Sequence, residues 1–218
     1  MAQSDLLIFD LDGTLIDSRL DLAHAVNNTR AFMGLPPIEH EDVYSYVGNG
    51  APVLIRKAMR AGASAEELER ALEFFLAYYR DHMLDYTVLY PGVRETLDRL
   101  QEARVTMAIL TNKPVRISQA IMDGLGLGGH FPFVYGGNSF ERKKPDPIGI
   151  DTLRATYRVE RGRTVMVGDS SVDVLTARNA GVPVCGVTYG FQPESFEQHP
   201  PDLLVDRFEQ LADWVLAR

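Results

Sequence analysis

The sequence reads as an α/β protein, a parallel sheet with helices on both faces, interrupted near its start by a small all-helical unit. Three observations lead there. Short apolar runs without strand-like alternation recur along the chain, as strands buried on both faces require. Amphipathic helical patterns separate most of these runs. One interval, residues 18–83, carries several helical patterns in succession and no strand-like run.

The first run, Leu6-Leu7-Ile8-Phe9, is followed directly by Asp10-Leu11-Asp12-Gly13-Thr14. Further strands are expected at residues 105–110, 131–135, 164–167, 182–187 and 203–205. Helices are expected at 93–103, 115–125, 148–157, 172–180 and 208–216. In the strandless interval Leu22, Ala25, Val26 and Thr29 share one helical face, and Leu68, Leu72, Phe75 and Tyr79 share another. Ser64 with Glu67 three residues on forms a capping box that opens the second of these helices. Pro36-Pro37, Gly48-Asn49-Gly50 and Ala61-Gly62 supply the breaks. The expected organisation is a core of residues 1–15 and 84–218, with a helical unit of residues 16–83 inserted at the C-terminal edge of the first strand. A unit at that edge reads as a lid over a site, or as a subdomain added for stability alone.

The 218 residues contain 45% hydrophobic and 24% charged side chains, ordinary values for a globular chain that exclude disorder and a membrane class. A net charge of −8 without a basic cluster argues against a nucleic-acid partner. The lone Cys185 sits in an apolar stretch and is expected to be buried and inert. No basic segment leads into a long apolar stretch at the start, so neither export nor a membrane partner is expected, and a cytoplasmic location follows by default. The stretch from Gly124 to Gly129 matches the GxGxxG spacing, but it follows a helix and precedes a strand, the reverse of a dinucleotide site. It is read as a helix C-cap and loop.

If the strands end at one edge, the residues just after each run should meet there, where open α/β sheets bind ligands. Asp10 and Asp12 follow the first run, and Thr111 and Asn112 follow the run at 105–110. Gly168-Asp169-Ser170-Ser171-Val172-Asp173 follows the run at 164–167, with Asp173 one helical turn beyond Asp169. Lys143-Lys144-Pro145-Asp146-Pro147 adds a basic pair in a loop that its prolines stiffen. Two acids as close as Asp10 and Asp12 repel each other unless a cation neutralises them or one keeps its proton. A turn before Gly13 and a helix cap would explain that pair alone, but not four acids at one edge. The set offers a divalent-cation site, a nucleophilic carboxylate, an acid/base carboxylate, a hydroxyl donor and a cation. Oxygen ligands favour magnesium over zinc, since His24, His40, His82, His130 and His199 show no metal-ligand spacing. No G-x-S-x-G nucleophile elbow is present.

Asp10-Leu11-Asp12-Gly13-Thr14, Thr111-Asn112, Lys144-Pro145 and the run from Gly168 to Asp173 resemble, in order and spacing, the four motifs of the haloacid dehalogenase superfamily. The resemblance spans nearly the whole chain, and it implies a Rossmann-like core with a helical cap. It further implies that Asp10 attacks phosphorus to form an aspartyl-phosphate, while Asp12 protonates the leaving oxygen and later activates water. Magnesium would be held by Asp10, the backbone carbonyl of Asp12 and Asp169, with Asp173 in support. Thr111 and Lys144 would hold the phosphoryl oxygens, with Gly13 and Asn112 beside them.

Members of the superfamily that dehalogenate usually lack an acid at the position of Asp12, so phosphate-ester chemistry is expected. The segment Tyr46-Val47-Gly48-Asn49-Gly50-Ala51, with Arg56 beyond it, resembles the cap of phosphoglycolate phosphatases. There Gly48, Asn49 and Gly50 would approach the substrate, and Arg56 reads either as a partner for a substrate carboxylate or as a solvated helix residue. The expected activity is a magnesium-dependent phosphatase of small phosphorylated metabolites, with 2-phosphoglycolate the first substrate to try. The same superfamily also contains phosphomutases of the β-phosphoglucomutase type, pyrophosphatases and broad sugar or nucleotide phosphatases. A phosphoacceptor module without enzymatic activity fits less well, because receiver domains carry the acceptor later in the chain and have no cap. A monomer or a homodimer is compatible with the sequence.

Overall fold

The computed structural model describes residues 6–217, so positions 1–5 and 218 of the expected core lie outside the described residues. Its centre is a six-stranded sheet in the order β5-β4-β1-β6-β7-β8, with every neighbouring pair parallel. The strands are β1 (Leu6–Phe9), β4 (Thr106–Leu110), β5 (Phe133–Tyr135), β6 (Thr164–Gly168), β7 (Val184–Val187) and β8 (Leu203–Val205). Phe9 stands level with Ile109 on one side and Val167 on the other, which brings the ends of three strands together. From β1 the chain builds outward through β4 and β5, then returns to β6 on the opposite side. The C-terminal end of β1 is therefore the point where strand order reverses and a crevice opens.

The absence of alternation in the strands has a direct cause. Leu7 and Phe9 enter one apolar cluster together with α5 (Val93–Glu102), α6 (Val115–Gly124) and α9 (Glu209–Leu216). Leu6 and Ile8 enter a second cluster with α7 (Ile148–Tyr157) and α8 (Ser171–Ala180). All four residues of β1 have no exposed surface, so each face of the strand needs apolar side chains. Cys185 is buried in β7, and burial pushes its thiol up to about 12, which makes it inert as expected.

Between β1 and the rest of the sheet lie four helices: α1 (Arg19–Phe32), α2 (His40–Tyr46), α3 (Ala51–Ala58) and α4 (Ala65–His82). The capping box is formed, with Glu67 N donating to Ser64 Oγ at 3.1 Å and Ser64 N donating to Glu67 Oε2 at 2.8 Å. Leu22, Ala25, Val26 and Thr29 of α1 are buried, as are Phe75 and Tyr79 of α4, and the two helices pack along each other. Among the described residues no helix is long and apolar enough to cross a membrane.

The two chain segments that join this helical unit to the sheet are themselves bonded together. A short antiparallel ribbon pairs β2 (Ile16–Asp17) with β3 (Val88–Leu89), an element absent from the sequence reading because two residues carry no strand pattern. Beside it Asp21, in the first turn of α1, is almost fully buried and accepts hydrogen bonds from Tyr86 N, Thr87 N and Thr87 Oγ1. These bonds fix where α1 leaves and where the chain returns.

Element ends moved by one to two residues where local bonds intervene. Val105 is not in β4 because its N–H closes the end of α5 on Leu100 O, after Arg104 turns with φ +61°. Val182 likewise closes α8 on Ala177 O, and Pro183 has no N–H to extend β7. Phe131 and Pro132 precede β5, and α9 begins at Glu209. The segment from Gly124 to Gly129 ends α6 and turns toward β5, as a C-cap and loop should. Since Ile8 is wholly buried at the centre of the sheet, Ile8→Ala should lower unfolding free energy by about 2–5 kcal/mol in urea denaturation. A loss under about 1 kcal/mol would show that β1 is not the packed centre.

Candidate active site

The crevice at the end of β1 gathers three carboxylates and one ammonium. Asp10 continues the strand, its N–H donating to Val167 O at 2.9 Å. Asp169 follows β6, and Asp173 lies in the first turn of α8, where its Oδ2 accepts from Ser170 N and Ser170 Oγ. Gly13 has φ +81°, and a Cβ there would stand 2.1 Å from Asp169 Oδ2, so only glycine lets the loop after β1 close on β6. One oxygen from each of Asp10, Asp169 and Asp173 falls within 4.8 Å of the others.

Lys144 is the counter-charge. Its Nζ lies 3.0 Å from Asp10 Oδ1 and donates to Asp173 Oδ1 at 2.6 Å, with only 2% of its side chain exposed. The cis Lys144-Pro145 bond lies in the loop that carries it. Burial works against the Lys144 charge, but Asp10 and Asp173 together outweigh it and hold the ammonium above the ordinary lysine value. The carboxylates respond the other way. Burial, with repulsion from Asp173, pushes Asp10 up to about 6 despite Lys144. Asp169 is raised well above the usual carboxylate range by burial and by its two acidic neighbours.

One ammonium against three buried carboxylates leaves the cluster short of positive charge. Asp10 Oδ1 accepts no hydrogen bond despite its burial, because the Lys144 contact is an ion pair without hydrogen-bond geometry. A divalent cation with oxygen ligands fits this donor set and would remove both deficits.

Asp12 faces different partners although it is only two residues from Asp10. Its Oδ1 and Oδ2 accept from Lys113 Nζ at 2.8 and 3.0 Å, and its Oδ1 also accepts from Ser18 Oγ at 2.5 Å. Lys113 Nζ makes a third bond, to Tyr79 OH of α4, at 2.8 Å. Burial opposes the Lys113 charge, yet Asp12 and Tyr79 keep it above the ordinary lysine value. Burial likewise carries Tyr79 up to about 12. Lys113, Ser18 and Tyr79 escape a reading of the sequence: Lys113 looks like a loop residue before Pro114, and Tyr79 like one more apolar position on α4.

The remaining expected residues divide in two. Thr111 is buried and lines the same cleft as Asp10, with its Oγ1 accepting from Lys113 N at 3.3 Å. Asn112 donates through Nδ2 to Gly48 O at 3.0 Å and to Lys144 O at 3.1 Å, tying the loop before α3 to the loop carrying Lys144. Gly48 and Gly50 do line the cleft between helical unit and sheet edge, together with Asp10, Asp12, Thr111 and Asn112. At Gly50, φ is +81° and a Cβ would come 2.9 Å from Asn112 O, so the glycine permits this close seating. Asn49 and Arg56 are not among the lining residues. Asn49 O instead accepts from Lys143 Nζ at 2.6 Å, and Arg56 is exposed on α3. Lys143 is held below its ordinary value by burial and by the nearby Arg56 charge.

The cleft has a volume of about 50 Å³, room for a few water molecules at roughly 10–15 Å³ each. Leu22, Val47, Leu54, Phe75 and Ile117 make most of its wall apolar. A carboxylate in an acidic cluster that could take a cation, with a second carboxylate beside its own ammonium, is suited chemically to transfer of an anionic group such as phosphoryl.

The family model for haloacid dehalogenase-like hydrolases matches residues 7–187. The chain belongs to this family. It is 41% identical over 213 residues to a phosphoglycolate phosphatase of Pseudomonas fluorescens, covering 94% of this chain and 78% of that one. A phosphoglycolate phosphatase of Vibrio parahaemolyticus is 38% identical over 224 residues, covering 99% and 98%. Among solved structures, one described as a predicted phosphoglycolate phosphatase from Haemophilus somnus superposes with a TM-score of 0.92 at 32% identity, covering 98% and 99%. With these relatives the chain stands among the phosphatases of its family.

A metal held by the acidic cluster would couple stability to pH. Asp10 and Asp169 hold protons more tightly in the folded state than in the unfolded chain, so without metal the folded state is stabilised less as pH rises, for Asp10 from about 4 through about 6 and for Asp169 in the same direction. Magnesium held by the ionised cluster would restore what is lost. Its stabilising shift in thermal midpoint should therefore be larger at about pH 7.5 than at about pH 5 in calorimetry. Equal shifts at the two pH values would contradict the reading of the cluster.

Proposed function

We propose that this phosphatase hydrolyses 2-phosphoglycolate and similar small phosphate monoesters by double displacement at Asp10. The observation that carries the mechanism is the separation of two neighbouring carboxylates. Asp10 sits in the acidic cluster with an oxygen that accepts no hydrogen bond, whereas Asp12 is turned toward Lys113 and Ser18.

In the first step an Asp10 oxygen forms a bond to phosphorus as the bond to the ester oxygen breaks. Asp12 donates its proton to that oxygen, which leaves as the alcohol. In the second step Asp12 takes a proton from water, the hydroxide attacks phosphorus, and the Asp10 carboxylate is released. Thr111 and Lys144 hold the phosphoryl oxygens through a hydroxyl and an ammonium. Magnesium, held by Asp10, the Asp12 backbone carbonyl and Asp169 with Asp173 in support, would offset charge on the transferring group.

The named relatives support 2-phosphoglycolate as the substrate, and a small cleft suits a small ester. The segment 16–83 acts as a cap that lifts to admit substrate, pivoting where Asp21 and the β2/β3 ribbon bind its two ends.

Purified protein with magnesium should release phosphate from 2-phosphoglycolate with the highest kcat/KM in a panel of sugar phosphates, nucleotides, pyrophosphate and an aryl phosphate. No release from any of these would sink the proposal. Asp10→Asn, nearly isosteric, should keep the circular dichroism of the parent and lose essentially all turnover. Activity above a few percent of the parent's would remove Asp10 from the nucleophile role.

A further inference from the structure

A substrate with a second anionic group needs a cation inside the cleft, and among the described residues lining it only Lys113 carries one. Lys144 does not line the cleft and is already assigned to the phosphoryl oxygens. Arg56 and Lys143 do not line the cleft. Most of the remaining wall is aliphatic or aromatic and offers a carboxylate nothing.

We propose that Lys113 is the specificity-determining residue that receives the substrate's carboxylate, placed for this by its bonds to Asp12 and Tyr79. The inference rests on the reading of Asp12 as the acid that serves the leaving oxygen. That oxygen must then lie within hydrogen-bond reach of the Asp12 carboxylate. Lys113 Nζ is already 2.8 and 3.0 Å from the two Asp12 oxygens, so the leaving oxygen and the ammonium are neighbours across one carboxyl group. In a 2-phosphorylated carboxylic acid only two carbons separate the ester oxygen from a carboxylate oxygen. Such a molecule can bridge from Asp12 to Lys113, while a longer sugar phosphate presents a hydroxyl there and leaves the ammonium without an anion.

The surroundings keep the ammonium in place for this task. An ammonium has three donors, here two toward Asp12 and one toward Tyr79 OH, and a substrate carboxylate takes over one of the two that Asp12 receives. The Tyr79 ring lies 4.6 Å from Nζ and stacks on Phe75, with centroids 5.7 Å apart, so α4 of the cap fixes one side of the pocket. Ser18 holds Asp12 Oδ1 from the other side, so Asp12 keeps one partner when a substrate carboxylate shares Lys113.

The test compares kcat/KM for 2-phosphoglycolate with that for ethyl phosphate, which has the same chain length and no carboxylate. Lys113→Gln, which still donates a hydrogen bond but carries no charge, should reduce the ratio of the two by at least about tenfold, mainly through KM for 2-phosphoglycolate. Lys113→Met should do the same, and Arg56→Ala should change the ratio by less than about threefold. A purely structural role for Lys113 lowers both substrates together, so an unchanged ratio in Lys113→Gln would overturn the proposal. A collapse of the ratio in Arg56→Ala alone would overturn it in favour of Arg56. Parent protein that does not prefer 2-phosphoglycolate over ethyl phosphate would overturn the substrate reading itself and this inference with it.

Discussion

The contact on which the site depends is the one between Lys144 and a buried group of three carboxylates. Lys144 touches Asp10 and Asp173 directly, and Asp169 completes the cluster without a lysine of its own. Gathering like charges out of water is unfavourable, and a single ammonium does not offset it. The fold anchors two of the three carboxylates with backbone or side-chain donors. Phe191 N donates to Asp169 Oδ2 at 2.7 Å, and Ser170 donates to Asp173. What is left over is an Asp10 oxygen that meets only the Lys144 ammonium and accepts no hydrogen bond.

Strand order puts that group where it is. Because β1 lies between β4 and β6, the residues after three separate strands meet at one point, with those of the loop before α7. The same geometry gives Asp10 and Asp12 different partners. Asp10 still belongs to the sheet and joins the acids from β6 and α8. Asp12 has turned past the strand end and meets residues from the loop after β4, the foot of α1 and the cap helix α4. The proton-carrier and nucleophile roles proposed for Asp12 and Asp10 match this difference in how the two carboxylates are held.

Much of this was legible in the residues. Runs such as Leu6-Leu7-Ile8-Phe9 announce a doubly buried strand because both faces of the sheet are covered by helices, and Ser64 with Glu67 announces a helix start because the cap is a local bond. The four acids were legible because each directly follows or closely trails a strand. Other features depend on distance in space and leave no local mark. Lys113 is separated from Asp12 by 101 residues and from Tyr79 by 34. Nothing in Thr111-Asn112-Lys113-Pro114 signals that this lysine turns inward. Arg56 illustrates the converse: it follows a glycine loop that lines the cleft, yet it points to the exposed side of α3, because helical spacing from Ala51, Leu54 and Ile55 buries those residues instead.

The central claim is that the phosphoryl group passes through Asp10, and it is tested most directly by trapping it there. Parent protein mixed with 2-phosphoglycolate and magnesium, acid-quenched within milliseconds and digested, should yield phosphate covalently attached to the peptide that begins at the first strand, mapped by mass spectrometry to Asp10. The phosphorylated peptide should appear before free phosphate and decay as phosphate accumulates. Phosphate released from the first turnover with no covalent adduct, or an adduct on any other residue, would contradict the claim.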